Sequence, residues 1–189
     1  MAMRTFIAID IDEGLRHTLM QVGESLSLPG DKVRWVEPEN LHVTLNFLGD
    51  VPDELINDVC GLVGEVARHI EPFEFRVSHI SCQPQRGTPH MIWAAVEDPT
   101  GRMEKLNNEL NLALGELGLR QEARKFRGHI TLARINYVKD PQHLRAMAAE
   151  YGLDTFPLQH ADEVVAYTSQ LTPEGPIYTP LARLPLGRT

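Results

Sequence analysis

Residues 41–49 read LHVTLNFLG, a run that is nearly all apolar except for His42 and Thr44. Successive side chains of a strand point to opposite faces. His42 and Thr44 therefore share one face, while Leu41, Val43 and Leu45 share the other. The aliphatic face can pack on helices and leave the polar face open. A lone His-x-Thr is usually structural, because both residue types occur often in half-buried strands. Residues 128–135, GHITLARI, repeat the pattern, with His129 and Thr131 opposite Ile130 and Leu132. At average usage such a motif arises by chance in about one chain of this length in a hundred, and two arise in about one in ten thousand. The surroundings repeat as well: strand, turn and proline-opened helix over 41–55, then again over 128–144. This echo implies two pseudo-symmetric lobes, each bringing one copy to a central cleft.

Working outward, RTFIAIDI (4–11) reads as a strand. Asp12 caps a helix carrying Leu15, Leu19, Val22 and Leu26 at helical spacing, and Pro29-Gly30 ends it. Strands at 33–36 and 41–48 flank a turn at Glu37-Pro38-Glu39-Asn40. The stretch 51–70 reads as a helix with Pro52 in its first turn and Leu55, Val59, Leu62, Val66 and Ile70 facing inward. Strands at 73–80 and 91–97 enclose a loop at 84–90. A helix over 100–117 turns Met103, Leu106, Leu110 and Leu114 inward. A strand at 128–135, a short helix opened by Asp140-Pro141, and strands near 162–170 and 177–184 follow. Strands come in pairs and do not alternate strictly with helices. The expected class is α+β, bilobal, each lobe an antiparallel sheet flanked by helices, with residues 1–189 as a single domain.

Composition narrows the function. The chain has 189 residues, enough for a core without staples. Its net charge of −8 argues against sequence-blind binding along duplex phosphates, which needs a basic face. A grip on one or two phosphates at a chain end stays open. Arg120, Arg124, Lys125, Arg127 and Arg134 gather around the second motif, opposed there by Glu122. Cys60 and Cys82 stand in no CxxC pattern and read as reduced thiols. MAMRTFIAIDIDEG is neither a signal peptide nor a membrane span, so a cytoplasmic protein is expected.

Two histidines suit paired acid–base work near neutral pH, one neutral and one protonated. Threonine hydroxyls can hydrogen-bond phosphoryl oxygens, and an arginine can offset their charge. Together they fit in-line phosphoryl chemistry without a metal or other cofactor. Threonine as nucleophile fits less well, because same-face neighbours point in parallel. A metal held by His42 and His129 lacks further ligands on these strands, and HExxH is absent. His17, His69, His79, His90, His143 and His160 read as surface or core. Asp10 and Asp12 read as a strand end and a helix cap.

The two motifs, with RTFIAIDI, VRWVEPENLHVTLNFLGDV, RKFRGHITLAR and SQLTPEGPIY around them, resemble the two-histidine (2H) phosphoesterase superfamily. More narrowly, the chain is similar to the bacterial and archaeal RNA 2',3'-cyclic phosphodiesterases, historically 2'-5' RNA ligases. The resemblance runs from Arg4 to about Leu186. It implies hydrolysis of an RNA 2',3'-cyclic phosphate to a 2'-phosphate, with reversible 2'-5' joining of tRNA-like halves as a further family activity. It implies His42 as general acid, His129 as general base, Thr44, Thr131 and Arg134 as phosphate ligands, and Phe47 against the terminal base. The implied partners are RNA ends or small nucleotides, with no membrane, and the protein acting as a monomer. A non-catalytic RNA-end or nucleotide-binding module, a metal-dependent phosphoesterase, and a 2H enzyme for small cyclic nucleotides or 2'-5' oligonucleotides are the alternatives. The family places proline before the second histidine, where this chain has Gly128. Strict alternation puts Phe47 and Arg134 on the face away from the histidines, so their implied roles require each strand to bulge, twist or end first.

Overall fold

The computed structural model describes residues 2–119, 121–173 and 175–187. Among the described residues, nine antiparallel strands form a curled sheet: β1 (Ala2–Asp10), β2 (Lys32–Trp35), β3 (His42–Pro52), β4 (Phe73–Gln83), β5 (Met91–Glu97), β6 (His129–Tyr137), β7 (Gln159–Ala161), β8 (Glu163–Leu171) and β9 (Pro176–Pro185). Their order is β7-β4-β5-β6-β3-β1-β8-β9, with β2 also paired to β6. Among the described residues, four α-helices cover it: α1 (Glu13–Leu26), α2 (Ile56–Arg68), α3 (Arg102–Glu116) and α4 (Pro141–Ala148). α2 packs on β8, β9 and α3, and α3 packs on β3. α4 packs on β4 and α1. The class is the expected α+β with two antiparallel lobes.

The two motif strands meet at the middle of the sheet, with Val43 opposite Ile130. Both residues are fully buried, as are Leu41, Leu45 and Leu132 within a few per cent. Beyond that pair β3 leaves β6 and β2 takes its place, with Trp35 opposite Ala133 and the Val36 N–H donating to the Leu132 carbonyl at 2.8 Å. The sheet thus divides into a β1–β3–β8–β9 lobe and a β2–β4–β5–β6–β7 lobe, one motif in each.

Local chemistry sets most boundaries as expected. Asp12 caps α1 through the Leu15 N–H, and Asp140 caps α4 through the N–H groups of Gln142 and His143. Met103, Leu106, Leu110 and Leu114 are the buried face of α3. The 51–70 helix is corrected in two respects. Pro52 is not in its first turn: it ends β3 opposite Ala2, and a 3-10 turn over Asp53–Leu55 precedes α2. The fully buried face is Val59, Val63 and Ala67, with Leu55, Leu62 and Val66 only packed against the core. Val59 and Ile70 of the expected stripe are buried, Ile70 just beyond the end of α2. The chain also forms β7, three residues long and paired with Phe73–Phe75 of β4, which has no counterpart among the expected strands. Arg120 lies outside the described residues. Cys60 and Cys82 are free thiols. No helix among the described residues is long and apolar enough to cross a membrane.

Candidate active site

Both motif strands break their alternation at the same place. Along β1, Phe6 faces Phe47 and Ile7 faces Asn46, but Ala8 faces Thr44, so Leu45 is an extra residue. Along β5, Ile92 faces Ala133 but Trp93 faces Thr131, so Leu132 is the extra residue. Each is a β-bulge, and a bulge re-aims every side chain beyond it. Leu45 and Asn46 are consecutively buried, as are Leu132 and Ala133. Phe47 and Arg134 consequently emerge on the histidine face. The bulge that these residues require is present in both strands.

A cleft of about 760 Å3 opens along this face, within the usual range of small-molecule sites. It is lined by His42, Thr44, Phe47, His129, Thr131 and Arg134. The structure therefore brings all six sequence-derived residues to one volume. The other six histidines lie outside it. Among the described residues, no group of three His, Cys, Asp or Glu side chains could hold a metal ion.

The imidazoles are held alike. His42 Nδ1 is 2.7 Å from the Asn40 carbonyl, and His129 Nδ1 is 2.8 Å from the Arg127 carbonyl. A carbonyl only accepts, so Nδ1 carries the hydrogen and Nε2 is left for chemistry. His42 Nε2 also meets Thr44 Oγ1 at 3.0 Å. In neutral His42 that threonine O–H donates to Nε2; in the imidazolium Nε2–H donates to Oγ1. Burial lowers both histidines below the ordinary 6.5. The Asn40 carbonyl and the Asp10 carboxylate oppose this at His42, and the Arg127 carbonyl and Glu122 oppose it at His129.

Each ring rests on an aromatic partner from the adjacent strand. His42 stacks on Phe6 with centroids 5.0 Å apart and meets Tyr178 edge-on at 5.4 Å. His129 stacks on Trp93 at 3.9 Å. Behind His42, the Tyr167 hydroxyl donates to both Asp10 oxygens at 2.8 and 3.0 Å, and Arg183 bridges Asp10 and Glu163. Burial and the Asp10 bond push the Tyr167 phenol up to about 12, so it stays a donor. Asp10 is thus more than a strand end, whereas Asp12 is the cap that was expected.

Phe6, Trp93, Tyr167 and Tyr178 were not singled out from the sequence, because aromatics are ordinary strand residues. Arg34 was missed as well, although it lines the cleft and lies directly opposite Arg134 across β2 and β6. Like charges so placed normally repel, and VRWV beside the first motif was the available signal. Gly128 has a packing reason: a Cβ there would stand 3.2 Å from Met103 Sδ and 3.4 Å from Val96. Its carbonyl accepts from the Val96 N–H at 2.9 Å, which fixes the approach to β6.

Comparison with known proteins gives a consistent picture. The family pattern described as "LigT like Phosphoesterase" matches twice, over residues 9–93 and 95–178. The RNA 2',3'-cyclic phosphodiesterase of Thermotoga maritima is 35% identical, the match covering 93% of this chain and 91% of the relative. That of Methanothermobacter thermautotrophicus is 32% identical over 95% of this chain and 96% of the relative. A Thermus thermophilus crystal structure superposes with a TM-score of 0.83 at 27% identity, covering 98% of this chain and 99% of that one. Escherichia coli LigT, solved with 3'-AMP, shares the fold with a TM-score of 0.77 at 24% identity over the whole of both chains.

Proposed function

The chain belongs to the LigT-like phosphoesterase family, a 2H phosphoesterase family, and from that premise we propose that it hydrolyses RNA 2',3'-cyclic phosphate ends to 2'-phosphates. One observation carries this reading: two imidazoles, each fixed through Nδ1 to a carbonyl, present Nε2 to one cleft that also holds two threonines and Arg134. The curated relatives' name supplies the substrate class.

In this reading the cyclic phosphate sits between the two strands. Thr44, Thr131 and Arg134 hydrogen-bond its oxygens and stabilise the charge that grows there during attack. His129 Nε2 accepts a proton from water as the water oxygen bonds to phosphorus. The P–O3' bond breaks, and His42 Nε2–H supplies the proton to the departing 3'-oxygen. Both atoms end on the product: the water oxygen on phosphorus, the proton on the ribose 3'-hydroxyl. In the acid role His42 is charged, a form that burial disfavours overall and that the Asn40 carbonyl and the Asp10 carboxylate support. In that form Thr44 Oγ1 accepts from it and turns its own hydrogen toward the phosphate. Phe47, 55% exposed at the cleft wall, offers a face to the terminal base. The same steps with a 5'-hydroxyl in place of water form the P–O5' bond, break P–O3' and protonate the 3'-oxygen, which gives a 2'-5' linkage and a free 3'-hydroxyl.

His42→Ala and His129→Ala should each lower kcat on a cyclic-phosphate RNA by about a hundred- to ten-thousand-fold, and product analysis should show a 2'-phosphate. Wild-type rates in either variant, or a 3'-phosphate product, would overturn the proposal.

A further inference from the structure

Next to the cleft lies a second cavity of about 330 Å3, bordered by Arg4, Phe6, Phe47, Glu122, Leu171 and Tyr178. Phe47, Leu171 and Tyr178 line both cavities, so the partition between them is two aromatic rings and one aliphatic side chain. Both sides carry arginine, Arg34 and Arg134 in the cleft and Arg4 beyond the partition. Arg4 precedes Phe6 by two positions on β1, and Phe6 is the ring beneath His42. Asp50 stands opposite Arg4 on β3, yet among the described residues no ion pair joins them. Burial raises the Tyr178 phenol, while Arg134 and Arg4 both pull it back, so both cations reach its surroundings.

We propose that this second cavity receives the penultimate nucleotide of a single-stranded RNA end, with Arg4 holding the phosphodiester on the 5' side of the terminal nucleotide. The inference rests on the reading of the cleft as the cyclic-phosphate site. A terminal nucleotide whose 2' and 3' oxygens are closed in a ring has one remaining link to the RNA, its 5'-phosphodiester. That link must leave the cleft, and the adjoining cavity offers the chemistry an RNA backbone and base require. Aromatic faces stack on any base, and guanidinium groups bind phosphate oxygens in pairs. Phe47 and Tyr178 bound both spaces and serve consecutive nucleotides. The Glu122 carboxylate repels a phosphate and accepts from a ribose hydroxyl or a base amine, which confines the phosphate to the Arg4 end. The substrate class that follows is an RNA end of two or more nucleotides in preference to a mononucleoside cyclic phosphate.

The test uses the intact protein and three probes: adenosine 2',3'-cyclic phosphate, the diadenosine carrying a terminal 2',3'-cyclic phosphate, and the same dinucleotide with a neutral methylphosphonate internal linkage. The charged dinucleotide should exceed the neutral one in kcat/KM by about tenfold, the size of one charge-assisted hydrogen-bond pair. In Arg4→Met that ratio should fall to about one. Arg4 is exposed, and the wild-type comparison stands without any variant. A wild-type ratio near one, or an unchanged ratio in R4M, overturns the inference while leaving the cyclic-phosphate reading intact. Failure to hydrolyse all three probes overturns the reading beneath it.

Discussion

An imidazole whose Nδ1 is committed to a backbone carbonyl has one nitrogen left, and its pKa decides when that nitrogen is a base or an acid. Both His42 and His129 are lowered from 6.5, chiefly by burial. The rising limb of kcat/KM requires the base to be neutral, and the falling limb requires the acid to keep its proton. Both midpoints therefore lie below the ordinary value, and the bell should peak below pH 6.5 in a pH–rate profile on cyclic-phosphate RNA. The same shifts have a stability consequence. As pH falls past 6.5 the unfolded chain takes up these protons first, so their contribution is complete above that value and is lost on the way down through the folded pKa values. The histidine contribution to the melting temperature should be constant above about pH 7 and fall below about 6.5, with a smaller fall in His42→Asn; an equal fall would assign the effect to other groups. Thr44→Val removes the partner of His42 Nε2 and should lower kcat by about tenfold, the order of one lost hydrogen bond in the transition state.

At the scale of elements, the bulges decide what the cleft contains. The extra Leu45 leaves its carbonyl out of the β1 ladder, and Asn107 on α3 supplies the missing donor from Nδ2 at 2.9 Å. Asn46 Nδ2 returns a bond to the Asn107 carbonyl at 3.3 Å. Asn107→Leu should leave a buried acceptor unsatisfied and cost about 1–3 kcal/mol, read as a lower melting temperature. His42 and Thr44 precede the bulge and Phe47 follows it, so KM for an RNA end should rise more than kcat falls. The strands themselves were legible, because alternation and β-branched runs report a pleated half-buried surface. The bulges were legible only as a demand, since a bulge is defined against a partner strand distant in sequence. β7 escaped because Gln159-His160-Ala161 has no strand signature, and its order comes from β4. The His/Thr pairs could be read because they repeat. Phe6, Trp93, Tyr167 and Tyr178 could not, because each is one ordinary aromatic on a different strand and converges only through the sheet order.

At the scale of the whole molecule, the halves of the sequence are not the lobes of the structure. The family pattern covers 9–93 and 95–178, but β8 and β9 from the second half join β1, while β4 and β5 complete the lobe of β6. Each half builds part of both lobes, so neither half carries a finished core. Unfolding in urea should be one transition, with tryptophan fluorescence and far-UV circular dichroism coincident. Trp35 and Trp93 both report the β6 lobe, so a separable lobe would split the two curves. The junction of the lobes has a mechanical side. Among the described residues, Val43 opposite Ile130 is the one residue pair joining β3 to β6, and His42, Thr44, His129 and Thr131 sit one residue from it, at roughly 3.3 Å. Phe47 and Arg134 lie four residues out, at roughly 13 Å along an extended strand. A rotation of the lobes about that point displaces the outer pair about four times as far as the inner set. On the proposed function, a small rotation of that kind would open the rim to a nucleotide while leaving the distances among the four motif side chains almost unchanged.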